Sequence, residues 1–379
     1  MARSSTLPEP IEAKLYLAFE LSQKQWKLGF TIGPGQAPRI RTISARNLAA
    51  LQSEIDLARR RFGLPAASRV LSCYEAGRDG FWLHRYLEQH AVENLVVDSA
   101  SLEVNRRARR AKSDRLDVGK LLAMRLRYDQ GERKVWRVVH VPSEKAEDQR
   151  QLHRELHTLK VDRTRHINRI KGWLASQGVS LAVGDDFPQR LPQVRLWDGQ
   201  PLPPGLTARI LREYQRIQLV QQQIRELEAQ RRELLRSSDA ACVQQVRQLM
   251  RLRGIGVNSA WLYVMEFFAW RELKNRRQVG ALAGLTPTPY NSGGYSREQG
   301  ISKAGNRHVR AIAIEIAWSW LHHQPQSQLS QWYQRRFAKG GNRLRKIGIV
   351  ALARRLLVEL WRFLETGALP EGAELKPAR

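Results

Sequence analysis

Four short apolar runs in the first third of the chain predict β-strands, the first two by alternation of apolar residues and the last two as buried strands. The runs are "KLYLAFELS" (14–22), "WKLGFTIG" (26–33), "RVLSCYEAG" (69–77) and "NLVVDSA" (94–100). Between the second and third runs, the stretch "NLAALQSEIDLARRRFG" carries apolar residues at helical spacing. The resulting order, two hairpin strands followed by helix, strand, helix and strand, predicts an α/β sheet domain.

The middle of the chain, residues 146–240, is predicted to be helical and polar. Two apolar series run through its second half at seven-residue spacing: Ile210, Ile217 and Ile224, and, three residues behind in the same frame, Val220, Leu227 and Leu234. Such a pattern predicts a coiled coil or a long helical hairpin, through which we expect the chain to form a homo-oligomer, a dimer or a tetramer. A single amphipathic helix lying on a domain is the alternative.

The last third is predicted to be mainly α-helical. In "MRLRGIGVNSAWLYVMEF" two helical patterns meet at Gly254 and Gly256. This is the arrangement of a helix-hairpin-helix, whose glycines let backbone N–H groups approach a phosphate. A tight helical turn without a ligand is the alternative.

The charge of the chain indicates a polyanionic partner. It has 64 Lys and Arg residues against 36 Asp and Glu, a formal net charge of +28. An excess of this size points first to nucleic acid. The longest apolar stretch, "AIAIEIAWSWL", contains Glu315 and is much shorter than the roughly 20 residues of a membrane-spanning helix. We therefore expect no membrane partner, and with no signal-peptide pattern at the start we expect a cytoplasmic protein.

The two cysteines, Cys73 and Cys242, are far apart and have no metal-type spacing. They argue against a structural zinc site or a disulfide framework, and both are expected to be buried thiols.

Four acidic residues are candidates for a metal site. Glu20 lies within the first strand run and Glu75 ends the third, while Asp114 and Asp117 lie three apart in "RRAKSDRLDVGKLLAM", where the pattern is helical. If the two strands are neighbours, all four carboxylates face one place, where they would repel one another unless a hard cation such as Mg²⁺ neutralised them. Each acid alone has an ordinary explanation, such as a helix cap or an ion pair with a nearby arginine.

The two aspartates lie in a basic segment. Residues 101–137 hold 12 Lys or Arg and five Asp or Glu, a net charge of +7. Cations would gather a phosphate backbone there while carboxylates hold a metal. The residues expected to contact nucleic acid are Arg106, Arg107, Arg109, Arg110, Lys112 and Arg115.

Several motifs in this order resemble one family of mobile-element proteins. They are "YEAG", "KSDRLDVGKLLA", "RLRGIGVNSAWLYVMEF" and "GALAGLTPTPYNSGGYSREQGISKAGNRHVR". The chain resembles insertion-sequence transposases that join an N-terminal RuvC-like (RNase H-type) DEDD domain to a C-terminal domain carrying a serine. The resemblance covers most of the chain and is weakest in the middle third and the two tails.

The resemblance implies a recombinase that excises its element as a circle and inserts it into double-stranded target DNA, guided by a structured bridge RNA transcribed from the element. The implied DEDD quartet, which would hold Mg²⁺, is Glu20, Glu75, Asp114 and Asp117, and the implied catalytic serine is Ser292. Glu20 departs from the family pattern, which has aspartate there. Its carboxylate stands on a stem one methylene longer, which changes the geometry open to a metal.

The surroundings of Ser292 suit a phosphate. Gly293 and Gly294 would allow close backbone approach, and the cations expected to meet phosphate oxygens, in addition to His308, are Lys303, Arg307 and Arg310. The alternative is plain turn chemistry, since Ser-Gly-Gly is common in turns. Other candidate nucleophiles nearby are Ser296, Ser302, Tyr290 and Tyr295.

The leading hypothesis is a serine- and Mg²⁺-dependent, RNA-guided DNA recombinase. A RuvC-type structure-specific endonuclease with water as nucleophile is one alternative, and a nucleic-acid scaffold impaired by Glu20 is another. The predicted divisions are an N-terminal tail (1–13), the RuvC-like domain (14–145), the helical coiled-coil region (146–240), the transposase domain (241–366) and a C-terminal tail (367–379).

Overall fold

Five strands of the amino-terminal part of the chain form one mixed sheet in the computed structural model, which describes residues 13–102, 114–292 and 295–377. The strands are β1 (Lys14–Leu21), β2 (Gln25–Thr31), β3 (Arg39–Ser44), β4 (Arg69–Glu75) and β5 (Val92–Val97). Their order in the sheet is β3-β2-β1-β4-β5. The pairs β1–β2 and β2–β3 are antiparallel, whereas β1–β4 and β4–β5 are parallel. The four strands predicted from apolar runs are confirmed, and β3 is an addition.

Three helices cover the two faces of this sheet. They are α1 (Leu48–Arg61), α2 (Trp82–Gln89) and α3 (Asp114–Asp129). Leu15 and Leu17 of β1 point into a core shared with α1 and α2. Tyr16 and Ala18, which alternate with them, point into a second core shared with α3. Successive side chains of a strand leave opposite faces, so one buried strand serves both cores.

The absence of a side chain at Gly29 brings α3 close to the sheet. A Cβ atom at this position of β2 would collide with the side chains of Val118 and Leu122 on α3. Both residues are buried in the α3 core. The glycine therefore fixes how closely this helix packs, and with it the position of Asp117 beside Val118.

The chain divides into two compact units, one ending at Val141 and the other beginning at Pro142. The helices of the second unit are α4 (Glu144–Asp148), α5 (Gln151–Ala175), α6 (Phe187–Arg190), α7 (Pro204–Ser237), α8 (Ala241–Met250), α9 (Val257–Tyr263), α10 (Arg276–Leu282), α11 (Arg307–His323), α12 (Gln328–Tyr333) and α13 (Asn342–Thr366). One hairpin of two strands, β6 (Pro287–Ser292) and β7 (Tyr295–Ile301), lies between α10 and α11.

The long helices α5 and α7 pack against each other in antiparallel directions. Lys160 Nζ lies 2.7 Å from a carboxylate oxygen of Glu228, and Arg163 donates a 2.8 Å hydrogen bond to Gln221. The heptad isoleucines are buried in this hairpin: Ile210, Ile217 and Ile224. Of the two predicted arrangements, the structure has the long helical hairpin. Self-association through it stays a prediction.

A buried carboxylate links the two helices of the hairpin. Glu213 of α7 is 1% exposed and binds three cationic or imidazole side chains. His166 Nδ1 lies 2.6 Å away, Arg216 donates at 2.5 Å, and Arg169 of α5 also donates to it. Burial alone would raise the pKa of this carboxyl, but the hydrogen bonds from His166, Arg216 and Arg169 outweigh it and hold the pKa below its usual range.

Helices α8 to α13 enclose the largest apolar core of the described residues, which contains Trp261, Trp320 and Phe267. Two helical stretches in this part have π-helical hydrogen bonding, Val264–Phe268 and Gln334–Ala338. In the first of these π turns, the N–H of Ala269 donates to the carbonyl of Val264 at 2.9 Å. Such turns are frequent at functional sites.

No helix of the described ranges is long and apolar enough to cross a lipid bilayer. Cys73 and Cys242 are free and buried, which confirms the expectation of buried thiols. Burial raises the pKa of the Cys73 thiol to about 12, so this group is unreactive at neutral pH.

Replacing Gly29 by alanine is expected to destabilise the first unit by about 1–3 kcal/mol, the usual cost of overpacking a core. The added methyl group would push Val118 and Leu122 of α3 away from β2. Hydrogen exchange of the β1 and β2 amides measures the effect. The matched control is Gly33→Ala, because a Cβ at Gly33 meets no atom within 4 Å. Equal exchange in the two variants would contradict the close approach of α3.

Candidate active site

Glu20 and Glu75 lie at the same edge of the sheet. β1 and β4 are parallel neighbours, and their register pairs Phe19 with Tyr74, one residue before each acid. The carboxyl ends of parallel strands meet at one edge, where Glu75 is the last residue of β4 and Glu20 the last but one of β1. By alternation both face the side of the sheet that α3 covers, with Ala18 and Cys73 two residues before them.

A cleft of about 460 Å³ opens at this edge, and both glutamates line it. The other residues of its wall belong to the ends of β1 and β4 and to the segments that follow them, including Ser22, Arg78 and Asp79. The pairing that the sequence suggested for Glu20 and Glu75 is therefore present in the fold. Their role as metal ligands stays a prediction.

Helix α3 brings Asp117 towards the same edge. At the far end of the helix, Asp129 accepts hydrogen bonds from Lys14 Nζ at 3.1 Å and from Tyr16 Oη at 2.7 Å, beside the start of β1. In the middle of the helix, the carbonyl of Leu121 accepts from Cys73 Sγ at 3.8 Å. The helix thus runs opposite to β1 and β4, and Asp117, one turn before Leu121, lies towards the strand ends that carry Glu20 and Glu75.

The other predicted residues of this segment are only partly visible. Asp114 begins α3, and for it and Arg115 the structure describes the backbone but not the side chain. The predicted phosphate-contacting cations before α3 lie outside the described residues: Arg106, Arg107, Arg109, Arg110 and Lys112.

The cleft is compatible with Mg²⁺ in its chemistry. Among the described side chains, no three His, Cys, Asp or Glu groups are close enough together to hold a metal ion. Mg²⁺, however, is usually bound by one or two protein carboxylates together with waters and substrate phosphates. Glu20 and Glu75 in one open cleft supply such a pair of oxygen ligands.

Sequence reasoning missed the charged residues next to the two glutamates. Asp79, whose side chain is 8% exposed, lies 3.3 Å from Arg46 and 3.4 Å from Arg78. Asp98 directly follows β5 at the same edge, and its carboxylate accepts a hydrogen bond from the N–H of Ala100 at 3.1 Å. Their positions in the sequence could have identified them, because Asp79 and Asp98 come shortly after the buried strands β4 and β5, which end at this edge.

Ser292 is the last residue of β6 and pairs with Tyr295, the first residue of β7. The structure describes its backbone but not its side chain, and Gly293 and Gly294 lie outside the described residues. Ser292 therefore occupies the end of a hairpin strand. Whether it acts as a nucleophile stays a prediction.

The segment after this hairpin is held tightly to α10. The N–H of Lys303 donates to the carbonyl of Gly284 at 3.1 Å, and Arg310 Nη1 donates to the carbonyl of Lys303 at 3.0 Å. Gly284 has φ +69°, and a Cβ there would collide with the carbonyl oxygen of Ala304. Arg310, one of the three cations predicted to contact phosphate, thus uses one of its N–H donors in a hydrogen bond within the protein. Arg307, another of the three, is exposed.

The turn between α8 and α9 packs against the end of α11. The carbonyl of Gly254 accepts a 2.8 Å hydrogen bond from Ser319 Oγ, and a Cβ on Gly254 would lie 3.2 Å from His323 Cβ. Gly254, with φ +84°, is therefore needed for internal packing. Gly256 is exposed and precedes α9. The predicted helix-hairpin-helix role of this turn stays a prediction.

Comparison with known proteins places these residues in a family context. Residues 246–334, which include Ser292 and its hairpin, match the family described as Transposase IS116/IS110/IS902 family. The candidate transposase y4rJ of Sinorhizobium fredii is 40% identical over 377 residues, covering 96% of this chain and 94% of that protein. The transposase for insertion sequence element IS1328 of Yersinia enterocolitica is 27% identical over 199 residues, covering 51% of this chain and 58% of that protein.

Asp129→Asn is expected to destabilise the contact between α3 and β1 by about 1 kcal/mol at neutral pH, since the pair is partly exposed. Burial alone would raise the pKa of Asp129, but hydrogen bonds from Tyr16 and Lys14 outweigh it and lower the pKa below its ordinary 3.8. The carboxylate therefore contributes its full stability above the ordinary pKa and loses it as the pH falls through the lowered value.

Urea unfolding at neutral and at acidic pH measures this effect, and the difference between wild type and Asp129→Asn should shrink at acidic pH. Asp56→Asn is the matched control, because Asp56 is half exposed and pairs within α1, with Arg59 at 3.3 Å. A constant difference at both pH values would contradict the assignment to Asp129.

Proposed function

The chain belongs to the IS116/IS110/IS902 family of insertion-sequence transposases, and from this membership we propose that it is a DNA recombinase that cuts strands at the ends of its element and rejoins them at a target. The observation that carries the proposal is the common cleft of Glu20 and Glu75 in a chain of this family. A net charge of +28 supports a polyanionic substrate around these few acids.

The acidic residues of the first unit form the metal-binding part of the proposal. Glu20, Glu75 and Asp117, together with Asp114, would hold Mg²⁺, which when bound would neutralise charge developing on the scissile phosphate. Glu20 and Glu75 supply carboxylate oxygens from strand ends, and Arg78 in the same wall is available to a phosphate oxygen. Rigid strands position such ligands better than loops do.

Ser292 is the proposed nucleophile. Its Oγ would form a bond to phosphorus while the bond from phosphorus to a deoxyribose oxygen breaks. The serine hydroxyl loses its proton and the released deoxyribose oxygen gains one. Attack on the serine phosphodiester by another deoxyribose hydroxyl would reverse both changes, so rejoining would require no high-energy cofactor.

A structured guide RNA transcribed from the element and a homo-oligomer complete the proposal. The charge excess supports a second polyanionic partner besides DNA. For self-association the supporting feature is a pair of leucines on α7, Leu211 and Leu219, whose side chains are 37% and 57% exposed.

Ser292→Ala is expected to abolish a covalent protein–DNA adduct and to reduce strand rejoining by about a thousandfold or more, as loss of a catalytic nucleophile does. The measurement is a denaturing gel of the full-length protein incubated with end-labelled DNA that carries the ends of its element. Ser302→Ala is the comparison variant, because Ser302 is another candidate nucleophile, is exposed and lies just after β7. It should keep the adduct, and loss of the adduct in Ser302→Ala instead would assign the nucleophile to Ser302. Cleaved free ends without any adduct from the natural protein would favour hydrolysis by water instead.

Glu75→Gln is expected to reduce cleavage by about a hundredfold or more, because it removes one negatively charged ligand from the proposed metal site. DNA binding should persist. Glu20→Asp should retain activity or increase it, since it keeps the carboxylate. Cleavage rates measured against Mg²⁺ concentration separate these outcomes. Glu93→Gln is the matched control, because Glu93 lies on β5 and pairs with Arg69 at 2.7 Å outside the cleft. Full activity of Glu75→Gln would exclude the metal role of this cleft.

A further inference from the structure

A second cleft, of about 530 Å³, lies in the carboxy-terminal unit between α5, the π turn Val264–Phe268 and the start of α11. Three histidines and three arginines line it: His153, Arg154, His157, Arg165, Arg307 and His308. We call this group of residues the histidine pocket. The ring of His157 meets that of His308 edge to face, with the centroids 5.6 Å apart.

A buried carboxylate holds one of the arginines in place. Glu266, whose side chain is 3% exposed, accepts from Arg154 Nε at 2.6 Å and from Arg154 Nη2 at 2.9 Å. Asn306 Nδ2 donates to the same carboxylate at 3.3 Å. This contact uses two of the five N–H donors of a guanidinium. The Arg154 side chain is 51% exposed, so its other donors are available on the open side.

The charge of the pocket favours an anion over a cation. The single carboxylate, Glu266, is already paired with Arg154, and two further arginines line the same cleft. With every histidine neutral, Arg154 is paired with Glu266 and Arg165 with Asp162 at 2.8 Å, so Arg307 provides the surplus positive charge of the lining. No group of three potential metal ligands occurs within the described part of the chain. A metal ion is therefore disfavoured, whereas an oxyanion would meet arginine donors.

The histidines add donors that respond to a bound anion. Burial lowers the pKa of His153 to about 4, with His157, Arg231 and His308 acting in the same direction and Glu266 opposing. Burial also lowers the pKa of His308, assisted by Arg307, His157 and Arg154 and opposed by Glu266. These imidazoles are neutral at neutral pH without a ligand. A phosphate beside them would favour the protonated form.

The pocket also adjoins the segment that follows the serine hairpin. Helix α11 begins there, and its cap residue Asn306 accepts hydrogen bonds from the N–H groups of His308 at 2.9 Å and Val309 at 3.3 Å. The positive end of this 17-residue helix faces the same region and adds to the field. Residues 302–306 connect α11 to β7, the second strand of the hairpin that carries Ser292.

We propose that the histidine pocket binds one backbone phosphate of the DNA duplex, with Arg154 and Arg307 as charged donors and His157 and His308 as neighbouring imidazole donors. The inference rests on the proposed function, because α11 follows the Ser292 hairpin in the chain and the proposed substrate is DNA, which selects DNA as the source of the phosphodiester. The pocket would fix the register of the duplex and would not read its sequence.

Arg307→Gln in the full-length protein tests the charge. Arg307 is exposed, so its loss is expected to leave the fold intact. Binding of a fluorescent DNA duplex should weaken, and the slope of log affinity against log salt should become shallower by about one unit, the value for one lost phosphate contact. Arg236→Gln is the control, since Arg236 is exposed on α7 and pairs with Glu233 at 2.5 Å. It should leave the slope unchanged.

A titration tests the histidines by a readout that a merely structural role would not change. The imidazole resonance of His308, assigned by its absence in His308→Gln, should show a higher pKa when the duplex is bound, by about one unit or more. An unchanged pKa together with an unchanged Arg307→Gln slope, while the natural protein binds the duplex, would overturn the pocket alone. If the natural protein binds no DNA, the proposed function fails as well. A shift produced by a structured RNA but not by the duplex would also overturn the DNA assignment.

Discussion

In the carboxy-terminal unit, buried carboxylates link neighbouring helices by binding arginine side chains, which are plentiful in a chain with a large excess of positive charge. Glu213 and Glu266 are almost inaccessible, and α5 supplies cations to both, Arg169 to the first and Arg154 to the second. Removing one arginine would cost less than the roughly 3–5 kcal/mol of a fully buried pair, because Arg154 and Arg169 are about half exposed, but it would leave a buried carboxylate with fewer partners. Helix α5 is thereby fastened at one point to α7 and at another to the core that carries the serine hairpin. The pairs need not stabilise the fold more than apolar residues would, but they fix which residues face each other.

The amino-terminal unit positions its acids by apolar packing instead. The side chains of β1 alternate between two cores, and the parallel register with β4 then determines that Glu20 and Glu75 end neighbouring strands. A shift of the register by one residue would turn every buried side chain of a strand to the wrong face, so the core protects the position of both acids. Asp117 depends on the same packing through α3, which approaches the sheet only because Gly29 has no side chain.

The sequence predicted the features that depend on residues close together in the chain, namely the strands and the buried side of a helix. Apolar runs identified β1, β2, β4 and β5, whose buried positions are mostly apolar, but β3 was missed, because Arg39 and Arg41 give a polar edge strand. Heptad spacing identified the buried side of α7 but not its partner, which lies in another helix of the same chain. Glu75 was found at the end of a predicted strand and Glu20 within another, but the sequence could not show that these two strands are neighbours. Glu266 was missed, because its partner Arg154 is 112 residues away and no local pattern shows that such an acid is buried.

The π turn explains why Glu266 is buried and therefore why it needs a cationic partner. All five residues of Val264–Phe268 are buried, which a helix with one side exposed to solvent does not allow. The acid in this turn therefore requires a cation, and Arg154 has to be ordered before any ligand arrives. A donor that is already fixed loses little conformational entropy on binding an anion, so the same pairing that satisfies Glu266 prepares the mouth of the histidine pocket. In this unit, the requirements of folding and those of phosphate recognition are met by the same arginine.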